Sequence, residues 1–271
     1  LETPILLTNT LNVGLVADAL IEHMLEANPD IGVTTGTINP VVGECNDSFL
    51  NDIRGRHVKP EHVRQALHTA TDGQLEEGAV GAGTGMSAFE LKGGIGSSSR
   101  IIPSQYGGYV VGSLVLSNFG RLTDLTIDGA PVGRELSEHM APKSSANGSI
   151  IILVATNAPV SSRQLKRMAK RATHGLARTG SVSTHGSGDV VIAFSTTSRV
   201  PHYREDIRTP VGSVFEEDLT WLFRATAEAT EEAILNSLFR AETMVGRDGN
   251  TRTALPLDQT RTILHKYRRI Q

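Results

Sequence analysis

The 271-residue sequence holds one cysteine, Cys45, one tryptophan and only 4% aromatic residues. A single thiol excludes an intramolecular disulfide, so packing must hold the fold and a reducing cytoplasm is the default compartment. No apolar run approaches the roughly 18 residues that a membrane span needs. Basic blocks are missing too: the net charge is −3 with both signs spread along the chain, which gives neither nucleic acid nor an anionic membrane surface an electrostatic foothold. There is no H-E-x-x-H and no C-x-x-C, and the nine histidines are scattered without ligand spacing, so neither a metal nor another cofactor is expected. G-x-S-x-G and S-x-x-K, the commonest serine-nucleophile signatures, are absent as well.

What the chain does have is glycine, 27 residues, and 39% hydrophobic residues, the composition of a soluble globular protein rich in tight turns. Apolar spacing predicts four helices: Val16, Leu20 and Met24 ahead of "NPD"; Pro60 followed by Val63, Leu67 and Ala70; the capping box "SSRQ" (161–164) followed by Leu165, Met168, Ala172 and Leu176; and "SVFE" (213–216) opening the longest, through Leu219, Leu222, Ala229, Ala233 and Leu238. The runs "YVVGSLVLS" (109–117), "SIIILVAT" (149–156) and "DVVIAFST" (189–196) read as strands covered on both faces. Layered α/β architecture with stacked sheets follows. "GAGTGM" (81–86) and "KGGIGSSSR" (92–100) fail the full P-loop and dinucleotide patterns and read as glycines for close backbone approach or turns. The credible loop is Val132–Gly148, polar and running straight into Ser149. The chain starts at Leu1 rather than Met, already in the strand-like "TPILLT", which leaves room for a signal peptide or an earlier part that this sequence lacks.

At Gly148-Ser149 a specific chemistry is available. If the Ser149 hydroxyl attacks the Gly148 carbonyl, an N-to-O acyl shift and hydrolysis cut the chain and leave Ser149 with a free α-amine beside its own hydroxyl. Glycine before the cut tolerates strained backbone and leaves the carbonyl unobstructed. An α-amine with a reference pKa of about 7.7–8.0 is partly unprotonated near neutrality and serves as general base. The plain alternative is a Gly-Ser pair that simply opens a buried strand.

The wider pattern favours the chemistry. "TPILLTNTLNVG", "PVVGECND", "GAVGAGTGM" with "KGGIGSSSR", "LVLSNFG", "NGSIIILVATNAP", "HGSGDVVIAFST" and "ETMVGRDG" occur in the order found in the DmpA-like family of L-aminopeptidase D-amidase/D-esterases and β-aminopeptidases, which the chain resembles over essentially its whole length. The resemblance implies a four-layer α-β-β-α sandwich like that of N-terminal-nucleophile hydrolases with different connectivity. It implies one catalytic domain, 1–271, self-cleaved into 1–148 and 149–271, and homo-oligomers of α/β pairs. It makes Ser149 both processing residue and nucleophile, and Asn118 in "SNFG" an oxyanion donor, where the residues alone suggest a turn before Gly120. Ser187 and Asp189 in "HGSGD" become partners of the nucleophile and its amine, where the residues alone suggest a tight turn into a strand. Glu44 in "GECND" becomes the ligand of the substrate's free amino terminus. Asn46 stands where relatives carry tyrosine or tryptophan beside the substrate. The family also normally has a substantial segment before "TPILLTNT", and this chain lacks it. Short peptides, amides or esters with a free amine are the implied substrates. The alternatives are an ornithine-acetyltransferase-like acyltransferase, whose processing nucleophile is threonine rather than serine, and an inactive amine-binding relative.

Overall fold

The branched run Ile150–Val154 forms a buried strand because its β-branched side chains suit a pleated surface and find apolar neighbours on both faces. A computed structural model describes residues 1–140, 148–197, 199–203, 207 and 212–270. In chain order its elements are β1 (Ile5–Asn9), α1 (Val13–Ala27), β2 (Val41–Cys45), α2 (Pro60–Thr69), the two-residue strands β3 (Ser87–Ala88) and β4 (Leu91–Lys92), β5 (Gly94–Ile101), β6 (Val110–Asn118), α3 (Val132–Ser137), β7 (Ser149–Thr156), α4 (Ser162–Arg178), β8 (Gly188–Ser195), α5 (Leu219–Phe239), the short strands β9 (Met244–Val245) and β10 (Thr251–Arg252), and α6 (Leu257–Lys266).

The central sheet runs β5-β6-β7-β8, antiparallel between the first three and parallel between β7 and β8. On one face lie α4 and α5, where Ile150, Ile152 and Val154 share a core with Met168, Ala172, Leu222 and Ala233. Each large aliphatic side chain buried there contributes about 1.5–3 kcal/mol. The other face carries the parallel pair β1-β2, joined to the sheet through Leu7, Cys45, Met86, Leu116 and Ile151. Helices α1 and α2 close the outside of that pair through Val16, Ala19 and Val63 against Leu6 and Val42. The result is the α-β-β-α sandwich that the sequence implied.

Several local expectations change. Helix α4 begins as predicted, with Ser161 and Gln164 capping each other reciprocally. The longest helix does not start at "SVFE": α5 begins at Leu219, and Glu216 instead pairs with Arg163 and Arg167 of α4. Competition from two guanidiniums outweighs the capping box. "DVVIAFST" is not covered on both faces, since Val190 stays 48% exposed and no residue of β8 is fully buried; β8 is also the last strand of the sheet. "KGGIGSSSR" conceals an eight-residue strand, β5, whose Gly96 lets α5 approach so closely that a Cβ there would sit 1.9 Å from the Ala233 carbonyl oxygen. The predicted loop Val132–Gly148 opens with α3, and its residues 141–147 lie outside the described residues.

Candidate active site

Strand register assembles the site. Asn118 at the end of β6 pairs with Ser149 at the start of β7, and Ser149 pairs with Gly188 at the start of β8, so three residues far apart in sequence form one row across the sheet. The Gly188 N–H donates to the Gly148 carbonyl at 3.2 Å, holding the bond before Ser149 from the β8 side. Gly148 is confined from the β6 side: a Cβ would lie 2.1 Å from the Asn118 carbonyl oxygen. Its φ is outside the left-handed range. Close approach, rather than unusual backbone conformation, is what requires glycine there.

Asn118 is not a turn residue. Its Oδ1 accepts from the Ser87 N–H at 2.8 Å and its Nδ2 donates to the Asn46 carbonyl at 2.9 Å, two contacts that agree on a single orientation of the amide. One Nδ2 hydrogen is thereby used, and among the described residues the second has no acceptor. On the other side, the tight turn that precedes β8 places Ser187, whose hydroxyl donates to Asp189 Oδ1 at 2.5 Å. Asp189 Oδ2 is buried and has no hydrogen-bond partner among the described residues. Cys45, wholly buried, turns its thiol toward the carbonyls of Ser149 and Leu116, at 3.5 and 3.6 Å. Burial pushes that thiol up to about 12, so it remains protonated and does not compete as a nucleophile.

The structure places the two substrate-binding candidates differently from the sequence reading. Glu44 lies inside β2, not in a loop after a long strand, and accepts a short hydrogen bond from Thr10 Oγ1. Strand alternation sets its carboxylate on the face opposite the Cys45 thiol. Asn46 meets Asn118 through its backbone, while its own Oδ1 turns back to the Ser48 N–H at 3.0 Å. Groups that sequence reasoning missed are mostly backbone: the Ser87 and Gly188 N–H and the Asn46 C=O carry no residue signature. Lys92, inside the "KGGIGSSSR" run, and Arg252 are also at this corner, since Arg252 Nε donates to Ser87 Oγ at 3.0 Å.

Two cavities adjoin the β1-β2 pair. The larger, about 760 Å³, is apolar, lined by Ile5, Leu114, Leu153 and Phe194, and contains none of the site residues. The smaller, about 300 Å³, is bordered by Thr8, Asn9 and Asp47, whose Oγ1, Oδ1 and Oδ1 atoms are buried without partners among the described residues. Burial raises the Asp47 carboxyl above its ordinary value. Among the described residues no group of three or more His, Cys, Asp or Glu could hold a metal, and no helix is long and apolar enough to cross a membrane.

Residues 1–252 match the family model described as Peptidase family S58. The chain belongs to that family. It is 41% identical to the beta-peptidyl aminopeptidase BapA of Sphingosinicella microcystinivorans, covering 99% of this chain and 70% of BapA. The crystal structure of the PH0078 protein of Pyrococcus horikoshii OT3 superposes with a TM-score of 0.94 at 55% identity, over 100% of this chain and 74% of that one. The L-aminopeptidase D-Ala-esterase/amidase of Ochrobactrum anthropi, described as a prototype for the serine aminopeptidases and a new variant among the Ntn hydrolase fold, gives a TM-score of 0.89 at 35% identity, over 98% and 74% of the two chains. This S58 chain is accordingly a hydrolase, a serine aminopeptidase or amidase acting on peptides or amides. The acyltransferase alternative is not favoured by these likenesses.

Proposed function

We propose that Ser149 first cuts its own chain and then serves the mature enzyme as nucleophile. The observation that supports this reading best is the row Asn118-Ser149-Gly188, with the Gly148 carbonyl held by Gly188 N–H at 3.2 Å. In processing, Ser149 Oγ adds to the Gly148 carbonyl, and the charge that develops on its oxygen faces the Gly188 N–H. The C–N bond breaks, nitrogen takes a proton, and Gly148 is left esterified to Ser149 Oγ. Water then hydrolyses the ester, giving a carboxylate at Gly148 and a free amine and hydroxyl at Ser149.

In turnover the Ser149 amine takes the hydroxyl proton as Oγ attacks the substrate carbonyl, and later delivers it to the leaving amine. The second Nδ2 hydrogen of Asn118 stabilises the oxyanion. Asp189, held by Ser187, offers its unpartnered Oδ2 to the α-ammonium, the donor that only cleavage creates. Glu44 compensates the substrate's ammonium, which loses hydration on entering the site. Substrates are thus short peptides, amides or esters with a free amine. The assembly in this reading is a homo-oligomer of α/β pairs in the cytoplasm.

Intact mass on the purified protein tests the first step. The wild type should resolve into residues 1–148 and a piece beginning Ser-Ile-Ile-Ile, and Ser149→Ala should remain one inactive chain. Cleavage at another bond, or equal cleavage in Ser149→Ala, overturns the proposal.

A further inference from the structure

Two of the most deeply buried side chains have no part in the chemistry above. Lys92 and Arg252 are 0% and 1% exposed. Lys92 Nζ spends its three hydrogens on the carbonyls of Gly93, Gly83 and Met86, at 2.6, 2.8 and 3.0 Å, and among the described residues no carboxylate pairs with it. Arg252 holds Ser87 Oγ and the Glu90 carbonyl, with its guanidinium over the Phe49 ring. An ammonium buried among carbonyls carries a desolvation cost that an apolar residue would avoid. Its position therefore calls for a reason.

The Met86-Ser87 peptide supplies one. Its carbonyl accepts from the Lys92 ammonium, and its N–H, at the opposite end of the same amide plane, donates to Asn118 Oδ1 at 2.8 Å. Ammonium, peptide and primary amide are linked in series, and each polarises the next. The positive end withdraws electrons from the Asn118 Nδ2–H bonds, which strengthens them as donors. The same series fixes the amide's orientation, for a flipped Asn118 would turn a lone pair toward a developing oxyanion. We infer that Lys92 is a positioning residue for the oxyanion site, acting through the Met86-Ser87 peptide to hold Asn118 Nδ2 outward and to polarise its free N–H. Arg252 steadies the same peptide through Ser87 Oγ. The inference rests on the role proposed for Asn118.

The test is a double-mutant cycle on processed enzyme. Lys92→Met keeps the length of the stem and removes charge and donors, and should lower kcat about tenfold while KM stays within about twofold. In the Asn118→Ala background the same change should cost less than about twofold, because the group through which Lys92 acts is gone. Equal losses in both backgrounds, or a loss confined to KM, overturn the inference. A second measurement serves if Lys92→Met does not fold. Burial pushes the Lys92 ammonium down to about 7, so the kcat ratio of wild type to Asn118→Ala should fall severalfold between about pH 6 and about pH 8.5. Among the described residues the other charged groups facing this corner are Arg252, Glu90 and Asp47, which lies against Gly85. The fall should persist in Asp47→Asn. A constant ratio, or a fall that vanishes in Asp47→Asn, overturns the role of Lys92. Wild-type kcat in processed Asn118→Ala would instead remove the oxyanion role of Asn118 itself.

Discussion

The two strands that flank Ser149 reach it in different states of completion. On the β6 side Asn118 has partners for both ends of its amide, and the peptide behind it is held by Lys92 and Arg252. On the β8 side Asp189 has one oxygen bonded to Ser187 and the other buried with no partner among the described residues. An unpartnered buried acceptor costs about 1–3 kcal/mol, more when charged. Under the proposed function the contrast teaches which half of the machinery would precede the cut: the Asn118 side has its partners in the continuous chain, and the Asp189 side would gain one in the α-amine that cleavage creates.

Three substitutions would break or sharpen that contrast. The largest effect falls on the Asn118 side. Asn118→Ala should leave the fold intact, since β6 keeps its ladder, yet lower kcat by about 10²–10³, the scale for deleting one oxyanion donor. Steady-state kinetics on fully processed protein, checked by intact mass, reads this directly.

Glu44→Gln belongs to neither flank and isolates substrate capture from processing. It should reduce kcat/KM for a free-amine p-nitroanilide by about 10–100-fold, the worth of one hydrogen bond to a charged group. Cleavage before Ser149 should be unchanged, because processing involves no substrate ammonium, and the acetylated anilide should be refused by wild type. Unchanged kcat/KM for the free amine would remove Glu44 from the site.

The smallest effect belongs to the Asp189 side. A carboxylate beside an α-ammonium favours its charged form and holds its pKa up. Asp189→Asn removes that support, so the amine loses its proton at lower pH and the acidic limb of the kcat profile should move down by about one unit. A pH series on both proteins decides it; an unmoved limb would detach Asp189 from the amine.

Much of this was legible in the sequence, and the exceptions have physical causes. The run Ile150–Val154 and the capping box at Ser161 announced β7 and α4 because apolar continuity and a reciprocal cap are local signals. Strand β5 was hidden because its glycines answer to α5, more than 130 residues away in sequence, rather than to strand propensity. The start of α5 was misread because Glu216 pairs across to α4. Around Ser149, the side chains Asn118, Ser187 and Asp189 could be named in advance from the resemblance. The backbone groups of Ser87, Gly188 and Asn46 could not, since every residue has the same N–H and C=O and only the register aims them.

The ladder between β6 and β7 would give the proposed cut a lasting consequence. Residues Val111–Asn118 pair with Thr156–Ser149 along eight positions, so the strands on either side of the scissile bond are stitched together at the middle of the sheet. Severing Gly148-Ser149 frees no subunit, because separation would require unzipping that ladder and splitting the shared core. It does alter what unfolding means. A single chain that melts can search for its partner strand at the effective concentration of a tether, whereas two melted pieces must find each other from solution, at a rate set by their dilution. An enzyme cut there would therefore persist chiefly by the height of its unfolding barrier, since the peptide bond that guided its assembly would not be there to guide it again.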